Sequence, residues 1–194
     1  MLELYLGGAR SGKSGLAEAQ AEYQATIDAK QLVYIATATA GDDEMSARIK
    51  LHQHRRSQTC QWRTVEEPLA LADTLIALDD EKNCIVVDCL TLWISNLMLD
   101  SSLDKLSQER QALLDCMNSL KSHIIFVSNE VGQGIVPVND LARRFIDESG
   151  FLHQQLARQC DRVVFTIAGL PQLLKGAPFQ ESVLERSCVI GSPT

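Results

Sequence analysis

Positive charge, long apolar runs, paired cysteines and repeats are what this chain lacks, and each absence closes a class of function. Eighteen Lys and Arg stand against 25 Asp and Glu in 194 residues, a formal net charge of −7. That balance disfavours nucleic acid or an anionic membrane as the main partner, so any phosphate binding must be local. No apolar stretch approaches the ~20 residues that span a bilayer. Glu3 breaks the apolar start where a secretion signal needs an unbroken core, so a cytoplasmic location is expected. The six cysteines, Cys60, Cys84, Cys89, Cys116, Cys160 and Cys188, include no Cys-x2-Cys pair and no zinc-like spacing, and read as reduced, mostly buried thiols. His52 and His54 alternate, but on a helix their rings point apart and make a poor metal pair. No repeat or low-complexity tract occurs, and the length suits a single α/β domain over 1–194.

What is present begins at residue 2. The short apolar run Leu2 to Leu6 leads into Gly7-Gly8-Ala9-Arg10-Ser11-Gly12-Lys13-Ser14, the pattern Gly-x4-Gly-Lys-Ser. Glycines let a backbone wrap a phosphate chain without a clash at Cβ, so that successive N–H groups point inward as donors. Lys13 then reaches the β and γ phosphates, and the Ser14 hydroxyl is placed to ligate Mg²⁺. The helix that opens here adds its positive end to the same anion. These residues predict a nucleoside triphosphate as ligand.

Along the chain, strands and helices alternate. Helix is predicted from Lys13 to about Ile27, with Leu16, Ala17, Ala21 and Ile27 on its apolar side, and strand over Leu32 to Ala36. Gly41 to about Gln58 reads as helix, Trp62 to Val65 as strand, and Pro68 as the opening of a helix to about Leu78. Asn83-Cys84-Ile85-Val86-Val87-Asp88 is a continuous apolar run ending in an acid, the form of a central parallel strand. Helices over Leu90 to Met98 and Leu103 to Leu120 follow, then a strand over His123 to Ser128. A long helix from Asn139 to Gln159 turns Leu141, Phe145, Leu152 and Leu156 inward, Arg162 to Ala168 makes the last strand, and 169–194 is a weakly patterned tail. The pattern predicts a P-loop NTPase-like, three-layer α/β/α fold with a mostly parallel central sheet.

In such sheets ligands gather at the carboxyl ends of the strands, so Gly7 to Ser14, Ala36-Thr37, Glu66, Asp88 and Asn129-Glu130 should share one rim. Asp88 is the natural second anchor for Mg²⁺ opposite Ser14. Glu66 suits a ribose hydroxyl or the acceptor, and as one of the pair Glu66-Glu67 before a helix it is equally a capping charge. At helical spacing Arg48, His52 and Arg56 form a ridge with Arg55 beside it. Flanking cations favour the neutral, nucleophilic imidazole and hold a phosphate before it, although periodicity alone reads the run first as a solvated basic face.

Taken together these segments resemble the bifunctional adenosylcobinamide kinase / adenosylcobinamide-phosphate guanylyltransferase family of cobalamin biosynthesis. The likeness rests on Gly7 to Ser14, Tyr34 to Ala38, Asp43 to Ile49 leading to His52, Trp62 to Glu66, Asp88 to Trp93, Asn96-Leu97 and Asn129 to Pro137. The resemblance implies two reactions: transfer of a nucleotide γ-phosphate to the aminopropanol hydroxyl of adenosylcobinamide, then transfer of GMP from GTP, through a histidine, to give adenosylcobinamide-GDP. It places the guanylylated histidine at His52, with Lys13 as the second catalytic residue. Nucleotide contacts would fall on Gly7 to Ser14, on Ala36, Thr37 and Ala38, on Gln53, His54, Arg55 and Arg56, and on Glu66 and Asp88. GTP and ATP are then substrates with Mg²⁺ as cofactor, the corrinoid is the acceptor, and a homo-oligomer, a trimer in family members, is expected. His153-Gln154-Gln155 departs from the Asn-Gln that the family often carries in its late helix.

Two other functions share part of this pattern. Another small-molecule kinase would use the P-loop and Asp88 with His52 as a surface residue. A GTP-dependent switch would need an Asn-Lys-x-Asp guanine-reading motif, which is absent, and Asp88 is followed by Cys89-Leu90-Thr91 rather than by an Asp-x-x-Gly turn.

Overall fold

The computed structural model describes residues 1–38, 60–100, 102 and 104–190. The helix expected over 41–58, and with it Arg48, His52, Gln53, His54, Arg55 and Arg56, lies outside the described residues. Seven strands form one sheet: β1 (Leu2–Gly7), β2 (Gln31–Ala36), β3 (Trp62–Glu66), β4 (Asn83–Asp88), β5 (His123–Asn129), β6 (Arg162–Ile167) and β7 (Leu170–Lys175). Their order is β3-β2-β4-β5-β1-β6-β7, with every neighbouring pair parallel except β6 and β7. The described helices are α1 (Lys13–Asp28), α2 (Leu71–Ala77), α3 (Leu90–Leu99), α4 (Lys105–Met117), α5 (Asp140–Gln159) and α6 (Glu181–Ile190).

Burial on both faces explains the continuous apolar runs. Leu4, Ile35, Ile85 and Phe126 pack on one side with Trp93 of α3 and Leu156 of α5. Tyr5, Val86, Ile125 and Val164 pack on the other with Leu16 of α1 and Val183 of α6. Helices thus cover both faces, giving the three-layer α/β/α arrangement that an almost wholly parallel sheet requires.

Three local readings are corrected. Helix α1 is buried all round from Gly15 to Glu22, because it lies between the sheet and α6, while Ile27 is exposed. The polar Glu22 is accommodated there by Arg186 of α6 at 2.7 Å and by the Trp62 indole at 3.3 Å. On α5, Leu152 and Leu156 are buried but Leu141 is exposed. Third, the segment read as a weakly patterned tail completes the sheet and covers it. Ala168 and Gly169, with φ of 52° and 80°, make a two-residue turn with both φ positive, the geometry that matches strand twist, and β7 returns along β6.

At the amino ends of the strands lies a buried polar cluster. Glu3, fully buried, accepts from the Tyr5 hydroxyl at 2.8 Å and from Arg162 Nη1 at 3.1 Å, and meets His123 Nε2 at 2.7 Å. The Arg162 guanidinium in turn lies 4.8 Å from the centre of the Phe179 ring. Burial first, and the Glu3 charge second, hold the Tyr5 phenol well above its usual pKa, so it remains a donor. Removing one member of such a cluster leaves a buried charge uncompensated. Glu3→Ala is therefore expected to lower stability by about 3–5 kcal/mol, read from the urea midpoint, while Glu3→Leu combined with Arg162→Leu recovers most of the loss. An unchanged midpoint in Glu3→Ala would contradict this account.

Candidate active site

Parallel register delivers the predicted rim. Gly7 lies level with Asn129 of β5 and with Thr166 of β6, and Ala36 lies level with Asp88 on one side and Glu66 on the other. The rim residues Gly7, Ala36, Glu66, Asp88 and Asn129 therefore all sit at the carboxyl ends of their strands. They are spread across it unequally. With neighbouring strands ~4.8 Å apart, Asp88 is roughly 10 Å from β1 and Glu66 roughly 19 Å.

The loop from Gly7 to Gly12 is shaped by sterics. A Cβ on Gly7 would sit 2.5 Å from both the Ser11 Oγ and the Thr166 carbonyl oxygen. Gly12 has φ of 94° and would place a Cβ 3.2 Å from the Gly169 Cα. Gly8, Ala9 and Arg10 are exposed, and Arg10 adopts φ of 56°, a left-handed conformation of the kind stored at functional loops. Gly12 caps α1 without any side-chain hydrogen bond, and the first turn carries no acid. Its first N–H groups lack helical acceptors and present a ready anion site.

Lys13 is only 6% exposed, and its Nζ donates to the Gly8 carbonyl at 2.9 Å. The ammonium is thus folded over the loop it serves. The buried Ser11 Oγ and Thr166 Oγ1 have no hydrogen-bond partner among the described residues. Such orphaned hydroxyls beneath a phosphate loop are donors in reserve. Ser14, half-buried in the first turn of α1, supplies another hydroxyl.

Across the rim, Asp88 Oδ2 accepts from the Tyr34 hydroxyl at 2.9 Å. Thr37 is fully buried, and its hydroxyl donates to the Cys89 carbonyl at 2.7 Å while accepting from the Cys89 N–H at 2.8 Å. Its side chain therefore braces β2 against β4 and is not available to a ligand. Asn96 secures the same turn by donating to the Thr37 carbonyl at 2.8 Å. Ala38 follows, half-buried. Of the pair Glu66-Glu67 it is Glu67 that binds the segment leading into α2: Glu67 Oε1 accepts from the N–H groups of Leu69 and Ala70 at 2.9 and 2.7 Å, and α2 starts at Leu71 rather than at Pro68, without a side-chain cap. Glu66 is left exposed at the end of β3. Burial first, and the Asp88 charge second, raise the Cys89 thiol, which keeps it protonated and unsuited to nucleophilic work.

The donor set suits Mg²⁺. Ser14 and Asp88 offer hard oxygen ligands, and a magnesium ion that keeps water and substrate phosphates in its shell needs only one or two protein oxygens. Groups of three or more His, Cys, Asp or Glu side chains that could hold a metal ion are absent among the described residues.

Two features of the site were not legible beforehand. The β6–β7 turn touches the phosphate loop, where the Gly169 N–H donates to the Ser11 carbonyl at 2.9 Å. Beyond β5, the Glu130 N–H donates to the Gly7 carbonyl at 3.0 Å, and the buried His153 of α5 meets the Ser128 Oγ at 2.7 Å. No helix among the described residues is long and apolar enough to cross a membrane.

The family model described as cobinamide kinase / cobinamide phosphate guanyltransferase matches residues 3–174. The bifunctional adenosylcobalamin biosynthesis protein CobP of Pseudomonas aeruginosa is 53% identical over 178 residues, covering 92% of this chain and 99% of that protein. The corresponding protein CobU of Escherichia coli strain K12 is 36% identical over 188 residues, covering 90% of this chain and all of its relative. Among solved structures, the flagellar accessory protein FlaH of Methanocaldococcus jannaschii superposes with a TM-score of 0.52 at 15% identity, covering 93% of this chain and 82% of that one, a likeness of fold alone.

Burial lowers the pKa of His153, partly offset by the Glu130 charge, so the ring is neutral near pH 7. Its folded value lies below the unfolded one, so the unfolded state binds more protons, and stability falls as pH drops below about 6.5 toward the folded pKa. His153→Gln is expected to flatten that slope in urea titrations between pH 7 and 5. An unaltered slope would show that another group carries it.

Proposed function

The chain belongs to the cobinamide kinase / cobinamide phosphate guanyltransferase family, and on that premise we propose that it phosphorylates the aminopropanol hydroxyl of adenosylcobinamide and then transfers GMP through a guanylylated His52. The observation that carries this reading is the convergence of a complete phosphate loop, Gly7 to Ser14, with Asp88 on one rim of the sheet. Loop amides and Lys13 grip the β and γ phosphates in both reactions. Ser14 and Asp88 would hold Mg²⁺, which when bound would supply charge neutralisation for the transferring phosphate. Glu66, at the far end of the rim, suits a nucleotide's ribose, and the backbones of Ala36 and Ala38 suit the nucleotide edge. The family resemblance assigns further nucleotide contacts to Gln53, His54, Arg55 and Arg56, which lie outside the described residues.

In the first reaction the acceptor hydroxyl attacks the γ-phosphorus of ATP or GTP and a nucleoside diphosphate leaves. In the second, an imidazole nitrogen of His52 attacks the α-phosphorus of GTP and pyrophosphate leaves. A phosphate oxygen of adenosylcobinamide phosphate then attacks the same phosphorus, the P–N bond breaks, and His52 is regenerated with adenosylcobinamide-GDP as product. Splitting one nucleotidyl transfer into two in-line steps is the usual benefit of a covalent intermediate.

A single-domain cytoplasmic enzyme, assembled as a trimer, completes the proposal. Support for association comes from the exposed aliphatic residues Ile135, Val136 and Val138 beside the rim and from Leu170 and Leu174 on the edge strand β7. Sedimentation is expected to give three times the chain mass, and a monomer at micromolar concentration would contradict it.

GTP labelled at the α-phosphate tests the histidine. Acid-labile, base-stable label on the peptide containing His52 is expected in the native protein, with none in His52→Ala. A folded protein that binds GTP yet takes up no label would remove the guanylylation step from the proposal.

A further inference from the structure

The acceptor hydroxyl must lose a proton as it is phosphorylated, and few carboxylates on the rim are free to take it. Asp88 accepts from the Tyr34 hydroxyl and is taken above as a ligand of Mg²⁺. Glu67 is committed to the start of α2 through Leu69 and Ala70. Glu66 lies roughly 19 Å from β1 across four strand spacings, beyond reach of a γ-phosphate held on the loop. Glu130 differs in every respect.

Its backbone N–H is bonded to the Gly7 carbonyl at 3.0 Å, which anchors it to the first residue of the phosphate loop on the strand next to β1. Its carboxylate is held on two sides yet remains open, at 22% exposure. Oε1 accepts from the Gly132 N–H at 2.6 Å, and Oε2 lies 3.9 Å from His153 Nδ1. The neutral imidazole tautomer with its proton on Nδ1 turns a donor toward the carboxylate, while Nε2 accepts from the Ser128 hydroxyl at 2.7 Å. Gly132 is part of the same device: a Cβ there would lie 3.0 Å from Glu130 Oε1, so any side chain at this position crowds the carboxylate that accepts from the loop N–H.

Resting on the kinase reading above, we propose that Glu130 is the catalytic base of phosphoryl transfer, accepting the proton of the acceptor hydroxyl. The hydroxyl oxygen forms its bond to the γ-phosphorus, the bridging P–O bond breaks with its electrons going to the nucleoside diphosphate, and the proton moves to the Glu130 carboxylate and then to water. Guanylylation of the protein involves no acceptor hydroxyl and leaves Glu130 idle. That asymmetry provides the test.

Glu130→Gln is expected to lower kcat for phosphorylation of adenosylcobinamide by about 10²–10⁴-fold, with the nucleotide KM and the uptake of label from α-labelled GTP both near native values. Gly132→Ala, which crowds the carboxylate without removing it, should reduce kcat less and spare labelling too. A Glu130→Gln protein that keeps kcat within tenfold overturns the proposal. Equal loss of phosphorylation and labelling also overturns it, since a supporting role in the loop would explain both. A native protein that labels but never phosphorylates the corrinoid contradicts the kinase reading itself, a result distinct from failure at Glu130.

Discussion

The parallel pairing of β1 with β5 and β6 at Gly7 is the constraint on which the site depends. Gly7 lies level with Asn129 and Thr166, and its carbonyl receives the Glu130 N–H. Four residues on, the Ser11 carbonyl receives the N–H of Gly169 from the β6–β7 turn. The phosphate loop is therefore held at both ends by backbone hydrogen bonds from the strands flanking it. A side chain at Gly7 or Gly12 would collide with that framework, so the glycines answer as much to the walls of the loop as to its ligand.

The two edges of the sheet are built on opposite principles. Where the strands begin, Glu3 satisfies Tyr5 and Arg162 and meets His123, and Phe179 closes over the guanidinium. Where the strands end, Arg10 adopts a left-handed backbone, and the Ser11 and Thr166 hydroxyls are without partners among the described residues. The Glu3 carboxylate is thus satisfied internally at one end of the strands, while the Ser11 and Thr166 hydroxyls at the other end are left for a ligand. Strain and unsatisfied donors are tolerable near the phosphate loop because packing elsewhere over-determines the fold.

Much of this was legible in the residues, for a physical reason. Strands β1, β2, β4 and β5 are covered on both faces and so read as continuous apolar runs, and parallel order then forces their carboxyl ends onto one rim. The β6–β7 hairpin was not legible, since its turn is Ala168-Gly169 rather than Asn-Gly and its strand Leu-Pro-Gln-Leu-Leu-Lys shows no alternation. Nor was the all-round burial of α1 from Gly15 to Glu22, because the partner that neutralises Glu22 is Arg186, far away in sequence. Glu67 rather than Glu66 holds the backbone that leads into α2, a choice that charge pattern alone leaves open. His153 stood out in the sequence only as a departure from the family's Asn-Gln, and its contacts with Ser128 and Glu130 come from the fold.

One phosphate loop serving two chemistries is the central claim, and Lys13 is its sharpest probe because its ammonium, folded onto Gly8, belongs to the loop and to neither acceptor. Phosphorylation of adenosylcobinamide and guanylylation of the protein should be measured side by side in a folded Lys13→Ala variant. Both rates are expected to fall together by a similar factor. Loss of phosphorylation with guanylylation intact would contradict it, since the second reaction would then draw its triphosphate from another site.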